Sequence, residues 1–303
     1  MNAISPRRHF RTIWISDVHL GTRGCQAELL LDFLSHAEAE TLYLVGDIID
    51  GWRLKRSWYW PSAHDQVVRE ILGWAERGRR VVFVPGNHDE ALRPFQGRFF
   101  HGVEVLGDLV HRTADGRRLL VLHGDQFDGV VRCHRWLARL GDGAYAATLT
   151  LNRYFNAVRR RFGFPYWSLS AFLKLRVKEA VQFIGQFEAA VAGAARQHGV
   201  DGVVCGHIHH AEMRTIDGVL YCNDGDWVES CTALVEHMDG RLEILCWPQV
   251  RGAALATAAA RGGRSLTQAA VLAGFGISLE EPECAFSSSP MPGFRRSTVS
   301  SEP

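Results

Sequence analysis

Five short motifs along this chain carry side chains that bind metals: Asp17-Val18-His19, Gly46-Asp47, Gly86-Asn87-His88-Asp89, His123-Gly124-Asp125 and Gly206-His207-Ile208-His209. Carboxylate, imidazole and carboxamide donors suit manganese, iron or zinc, and differ from a thiolate site. A carboxylate such as Asp47 can give one oxygen to each of two cations, holding them ~3.5–4 Å apart. Two cations so placed activate a water, polarise a phosphoryl group and neutralise charge as it builds on the phosphoryl oxygens. The candidate ligands are therefore Asp17, His19, Asp47, Asn87, His123, His207 and His209. Each alone reads as a polar residue satisfied by hydrogen bonds at a strand end, and only the joint set points to a metal centre.

The elements that position these residues are legible as periodicity. Every motif closes a run of strand formers: "TIWIS", "LYLV", "VVFVP", "RLLVL" and "GVVC". Helical spacing fills 26–39, with Leu29, Leu30, Phe33, Leu34 and Ala37 on one side, and 64–78, which ends at a glycine. The strand–helix–strand rhythm predicts an α/β domain with a buried, partly parallel sheet. In such sheets functional groups gather at the carboxyl ends of the strands, which is where the five motifs fall. Asp115-Gly116 and Asp217-Gly218 read as hairpin turns. The stretch from about 128 to 198 reads as a mostly helical insert, and strands return from 201 to 247. Residues 249–303, rich in Ala, Gly, Ser, Pro and Arg, read as a low-complexity, mostly disordered tail with one short helix over 265–274. The expected organisation is a domain over 1–248 followed by that tail.

Composition narrows the function classes. A formal net charge of +1 on 303 residues does not suit a protein built to coat nucleic acid, and no specific nucleic-acid binding is expected. Seven cysteines without C-x-x-C spacing read as reduced thiols of a cytosolic protein. The first residues have no apolar core of a signal peptide, and no uncharged apolar run reaches the ~18 residues of a spanning helix. The expected location is cytoplasmic, peripheral to the inner face of the cytoplasmic membrane. Oligomeric state is not encoded in any pattern here.

The order of the five motifs resembles that of the calcineurin-like metallophosphoesterases, over residues 11 to 247. The resemblance implies a sandwich of two mixed sheets flanked by helices, with the helical insert as a lid. It also implies a ligand assignment: Asp17, His19, Asp47 and His209 around one cation, most simply manganese, and Asp47, Asn87, His123 and His207 around the other. His88 then faces the substrate, stabilising the transition state or protonating the leaving oxygen, with Asp89 orienting it. Asp125 is a candidate supporting partner of the ligands. The plain alternatives are a helix cap for Asp89 and a turn for Asp125.

Within that superfamily the chain is similar to the UDP-2,3-diacylglucosamine pyrophosphatases of the lipid A pathway. "LVGDIIDGW" (44–52) and "RRLLVLHGD" (117–125) carry this likeness, and the insert lies where that family has an acyl-chain lid. It implies attack of water on the α-phosphorus of a lipid-linked nucleotide, releasing UMP and a lipid monophosphate. From Arg153 to Lys178 seven basic residues interleave with seven aromatics and no acids, which suits an anionic membrane surface, nucleotide phosphates or an RNA backbone. The plain reading is an amphipathic helix pair packed on the core. Two positions depart from the pyrophosphatase pattern: His88 stands where it has arginine, and His210-Ala211 where it has Arg-Pro. Both lie in or beside the site, so they bear on substrate and not on metal chemistry. Trp52 and His210 are candidate substrate contacts, with core anchoring and a solvent-edge position as their plain readings. The alternatives are a soluble or phospholipid-directed phosphodiesterase or phosphatase and, remotely, a non-catalytic scaffold. Retention of every ligand and of His88 argues against the scaffold.

Overall fold

The computed structural model describes residues 7–128 and 169–261, with side chains described for 7–128 and 181–254. The elements run β1 (Arg8–Ile15), α1 (Ala27–His36), β2 (Ala37–Val45), α2 (Gly51–Arg56), α3 (Ser62–Glu76), β3 (Arg80–Val84), β4 (Arg98–Phe100), β5 (Val103–Val105), β6 (Leu109–Arg112), β7 (Arg118–Val121), α4 (Leu169–Gln197), β8 (Gly202–Cys205), β9 (Glu212–Ile216), β10 (Val219–Asn223), β11 (Thr232–Glu236), β12 (Leu242–Cys246) and α5 (Trp247–Arg261). Short 3-10 turns lie at Glu90–Phe95 and Asp125–Phe127.

Two mixed sheets form, as the motif order implied. One has the strand order β12-β11-β1-β2-β3-β5-β4 and the other β6-β7-β8-β10-β9. In the first, β1, β2, β3 and β5 are parallel, and β11, β12 and β4 are antiparallel additions. In the second, β7, β8 and β10 are parallel, flanked by antiparallel β6 and β9.

Alternation along the strands explains why the sheets stack. Side chains of a strand point to opposite faces with period two. On β1, Ile13 and Ile15 face α1 and α3, whereas Trp14 faces the second sheet, where it meets Tyr43, Val82, Val121 and Val204. The outer face of the second sheet buries Leu120, Val203, Cys205 and Tyr221 under Phe187, Val191 and Ala195 of α4. The result is four layers, helix–sheet–sheet–helix, with both faces of each parallel core covered. The carboxyl ends of β1, β2 and β3 from one sheet and of β7 and β8 from the other therefore open onto common ground.

One buried acid stitches the sheets together. Glu236 on β11 is wholly buried, and its carboxylate accepts from Thr12 Oγ1 at 2.8 Å, Arg11 Nη1 at 2.8 Å, the Ala114 backbone N–H at 2.7 Å and His111 Nε2 at 3.0 Å. Arg11 and Thr12 belong to the first sheet, His111 and Ala114 to the first hairpin of the second. Burial alone would favour the neutral acid, yet the hydrogen bonds from His111, Ala114 and Thr12 outweigh it and hold the carboxyl down at about 2.

Several expectations differ from the structure. The helix anticipated over 26–39 stops at His36, because Ala37, Glu38 and Ala39 pair in parallel with Arg8, His9 and Phe10 of β1. Strands β4 and β5 were not anticipated: each has three residues, too few to show an alternation. Order also continues past 249. The alanine-rich run "AALATAAA" has high helix propensity, and α5 is pinned at its start where Trp247 Nε1 donates to Asp32 Oδ2 at 2.8 Å and Arg251 pairs with Asp32 at 2.7 Å. The remainder of the expected tail, residues 262–303, lies outside the described residues. So do 129–168 of the insert and hence most of the basic-aromatic stretch 153–178; of the insert, α4 is described. No described helix is long and apolar enough to cross a membrane.

The Glu236 carboxylate is lower in the folded chain than in the unfolded one. Its contribution is therefore complete above about pH 4.5 and fades as pH falls toward about 2. Glu236→Gln should cost on the order of 3 kcal/mol at neutral pH. It should also flatten the acid limb of stability, as read by urea unfolding at pH 7, 4 and 3.

Candidate metal centre

The strand ends deliver their side chains by unusual backbone geometry. Among the described residues, eight non-glycines have positive φ, and five of them are candidate ligands: Asp17 (49°), His19 (54°), Asp47 (54°), His207 (72°) and His209 (54°). The left-handed region is disfavoured for residues with a Cβ, although Asp and His enter it more readily than most. Such strain clusters at sites where geometry is over-determined by function. These kinks accompany side chains whose ligand atoms come close to one another.

Six of the seven candidate ligands, all but Asn87, fall in overlapping groups of close ligand atoms. Potential ligand atoms of Asp17, His19 and His209 all lie within 4.8 Å of one another, as do those of Asp47, His123 and His207, and those of His19, Asp47 and His88. His209 Nε2 is 3.0 Å from Asp17 Oδ1, and His19 Nε2 is 3.3 Å from His209 Nε2 and 3.9 Å from Asp47 Oδ2. His123 Nε2 is 3.4 Å from Asp47 Oδ1.

The chemistry of the donor set is clearest in what it leaves unbonded. Buried atoms without a hydrogen-bond partner include Asp17 Oδ1, Asp47 Oδ2, Asn87 Oδ1, His123 Nε2 and His207 Nδ1. Burying such groups without a partner is costly. In each carboxylate the other oxygen is engaged: Asp17 Oδ2 accepts from Ser16 Oγ at 2.6 Å and the His207 N–H at 2.7 Å, and Asp47 Oδ1 from the His88 N–H at 2.8 Å. His123 Nδ1 donates to the Val45 carbonyl at 2.8 Å, which leaves Nε2 to face the Asp47 carboxylate. Five inward-facing donors left open, all on candidate ligands, fit divalent cations.

Electrostatics agree. Burial opposes charge on His123, but the carboxylates of Asp47 and Asp17 outweigh it and push the imidazole up to about 10. His19 is raised to about 9 against its burial by Asp17 and Asp50. Burial likewise favours neutral Asp47, yet the neighbouring imidazoles hold it at about 2, and Asp17 is lowered in the same way. Without cations the cluster is a set of carboxylates neutralised by protonated histidines; cations would take over that role.

The remaining candidates fall elsewhere. Asp89 does not orient His88. Its Oδ1 accepts from the Gly86 N–H at 2.6 Å and its Oδ2 from the Ile48 N–H at 2.8 Å, so it clamps two strand-end loops together. Burial beside Asp47 raises it to about 6. The acid that meets His88 is Asp50, three residues after Asp47: Asp50 Oδ1 lies 3.0 Å from His88 Nδ1, and Asp50 Oδ2 lies 3.5 Å from His19 Nδ1. Asp50 also caps α2 through the Arg53 N–H. Asp125 pairs with Arg93 at 2.6 Å rather than with a ligand. Trp52 is partly exposed, its ring 4.3 Å from that of His88, and its Nε1 donates to Glu90. His210 is half exposed, 3.8 Å from Glu212, and outside the cluster.

Sequence reasoning passed over Ser16, and it reads Asp224, in "YCNDGDW" after a strand, as a hairpin or loop residue rather than a ligand. Ser16 Oγ is 2.6 Å from both Asp17 Oδ2 and Asp224 Oδ1. A hydroxyl has one hydrogen and cannot donate to both. Burial pushes the Asp224 carboxyl well above its usual range, with the Asp17 charge adding to it. Asp224 therefore carries the proton and donates to Ser16, which donates to Asp17.

The family model of the calcineurin-like phosphoesterases matches residues 10–211. Curated relatives include a UDP-2,3-diacylglucosamine hydrolase of Aeromonas salmonicida, 27% identical over 74% of this chain and 89% of its own. Another, of Nitrosococcus oceani, is 29% identical over 74% of this chain and 90% of its own. Among solved structures, a Vps29 mutant from Entamoeba histolytica is 14% identical with a TM-score of 0.37, covering 77% of this chain and 96% of its own.

Because Asp224 is already neutral, Asp224→Asn should shift stability by no more than about 1 kcal/mol. Ser16→Ala, which removes a partner from both carboxyls, should cost about 1–3 kcal/mol. Thermal unfolding of the two variants side by side checks the order.

Proposed function

The chain belongs to the calcineurin-like phosphoesterase family and is a hydrolase of phosphoric esters or anhydrides, and from that premise we propose that it cleaves the diphosphate of a lipid-linked nucleotide, UDP-2,3-diacylglucosamine, to UMP and a lipid monophosphate. The observation that carries the substrate is the likeness to UDP-2,3-diacylglucosamine hydrolases over about three quarters of the chain and nine tenths of theirs. The site of action would be the inner face of the cytoplasmic membrane, with the basic-aromatic stretch 153–178 as the contact.

Two divalent cations, manganese first among them, would supply a nucleophile from water and charge neutralisation on the phosphoryl oxygens. One would be held by Asp17, His19, Asp47 and His209, the other by Asp47, Asn87, His123 and His207. The residues around them divide the remaining work. Asp50 fixes the plane of His88 through Nδ1, which leaves Nε2 turned toward Asp47 Oδ2 at 3.8 Å. From there Nε2–H donates to the phosphoryl or leaving oxygen. The Trp52 ring lies against the same imidazole, tilted by 37°, and shields it from water on one side. Asp89 keeps the loops after β2 and β3 in register, so that Asp47 and Asn87 arrive together.

A second reading, hydrolysis of a soluble or different phosphodiester with the same residues, is favoured by His88 itself. An imidazole offers one donor where an arginine offers a bidentate fork, so the grip on a diphosphate differs.

Purified protein with manganese should release UMP from UDP-2,3-diacylglucosamine, followed by mass spectrometry. Turnover of soluble phosphodiesters with none of that lipid would select the second reading. His88→Ala should lower kcat about 10²–10⁴-fold and leave metal content intact. Asp50→Asn should lower it about 10–100-fold. Asp47→Ala should lose bound metal, measured by elemental analysis.

A further inference from the structure

Asp128 and Phe187 lie far apart in the chain, yet both reach His207. Asp128 Oδ1 is 2.6 Å from His207 Nε2. The ring of Phe187, on α4 and wholly buried, lies 5.9 Å from the imidazole at an interplanar angle of 37°. That approach needs the glycine beside it: at Gly124, with φ +115°, an added Cβ would come within 2.8 Å of Phe187 Cζ. On a third side the His123 ring stands 5.0 Å away, nearly perpendicular at 74°. The other ring nitrogen, His207 Nδ1, is buried and has no hydrogen-bond partner.

We propose that Asp128 is a positioning residue for His207: it accepts the Nε2–H and so fixes the tautomer whose bare Nδ1 faces the metal site, while Phe187 against Gly124 fixes the plane of the ring. A neutral imidazole carries one N–H, and a contact this short to a carboxylate places that hydrogen on Nε2. A carboxylate behind a ligating histidine sets its tautomer and raises its basicity. The arrangement is the mirror of its neighbour. His123 donates through Nδ1 to the Val45 carbonyl and offers Nε2, whereas His207 donates through Nε2 and offers Nδ1. Two adjacent histidines thus present different nitrogens to one site because their supports differ, a backbone carbonyl for one and a side chain for the other. Nothing in the Gly-His-x-His motif predicts this, since Asp128 lies 79 positions away in sequence.

The inference rests on His207 being a ligand, and the experiment separates the two claims. Full-length protein stripped of metal is titrated with manganese by calorimetry as wild type, Asp128→Ala, Asp128→Asn and His207→Ala. In parallel, ¹⁵N imidazole spectra of the stripped wild type and Asp128→Ala report the His207 tautomer. Wild type should bind two equivalents and His207→Ala should lose one. Asp128→Ala should bind the second equivalent about 10–100-fold more weakly and lose the Nε2–H tautomer. Asp128→Asn, whose amide oxygen still accepts, should stay close to wild type. A wild-type His207 protonated at Nδ1 would overturn the proposal without recourse to any variant. So would an Asp128→Ala protein with unchanged manganese affinity, even if its KM rose, because Asp128 would then be a substrate contact. Two full equivalents in His207→Ala would overturn the ligand assignment itself.

Discussion

Two carboxylates that the fold buries beside each other govern this molecule. Asp17 and Asp47 end neighbouring parallel strands, and the Asp17 N–H donates to the Gly46 carbonyl at 3.1 Å. Each acid makes the other harder to ionise, and both are fully buried. A buried, uncompensated anion is among the most expensive things a protein can contain. The surrounding design answers that cost. Ser16 and two backbone N–H groups bond one oxygen of each carboxylate, the imidazoles of His19 and His123 are pushed toward their charged form within reach of the others, and burial favours a neutral Asp224 that adds no third charge. The unanswered oxygens face inward, toward the place where cations fit.

That constraint explains why the site needs two sheets. A single strand end can offer one or two ligands at fixed spacing. Asp17, Asp47 and Asn87 come from one sheet, His123 and His207 from the other, and the Glu236 cluster ties the sheets through β1, β11 and the β6–β7 hairpin. The inter-sheet layer of Trp14, Tyr43, Val82, Val121 and Val204 sets the distance between them. Loosening either the polar stitch or the apolar layer would move one half of the ligand set against the other. Tolerances in such a site are a fraction of an ångström.

The candidate ligands announce themselves in the sequence by type and strand-end position. Asp17, His19, Asp47, Asn87, His123, His207 and His209 follow apolar runs in a fixed order, and the α/β rhythm between them points to the sheets. What was not legible depends on direction rather than position. Asp50 draws no notice in the sequence, and only the turn after Asp47 shows that the oxygen capping α2 also meets His88 while its other oxygen turns to His19. Asp89 looks like the natural partner of His88 because it is adjacent, but adjacent side chains on a turn diverge, and it binds backbone instead. Asp128 bonds the candidate ligand His207, and Asp224 reaches Asp17 through Ser16, each across a long stretch of sequence. Three-residue strands such as β4 are too short to carry a period, and the helix after Trp247 is held by Asp32, a tertiary contact invisible to local propensity.

The left-handed kinks at the candidate ligands also bound how this site could diversify. A position with φ near +50° accepts glycine, asparagine, aspartate and histidine, and rejects valine, isoleucine and threonine whatever their chemistry. At Asp17, His19, Asp47, His207 and His209 the backbone thus filters substitutions before metal chemistry does. The alphabet left after that filter consists largely of oxygen and nitrogen donors. A lineage drifting from one metal to another, or losing metal altogether, would be steered to exchange aspartate, asparagine and histidine among these positions. The outline of the site would then outlast its activity, so that a catalytically silent descendant would still look, in its backbone, like a metal centre.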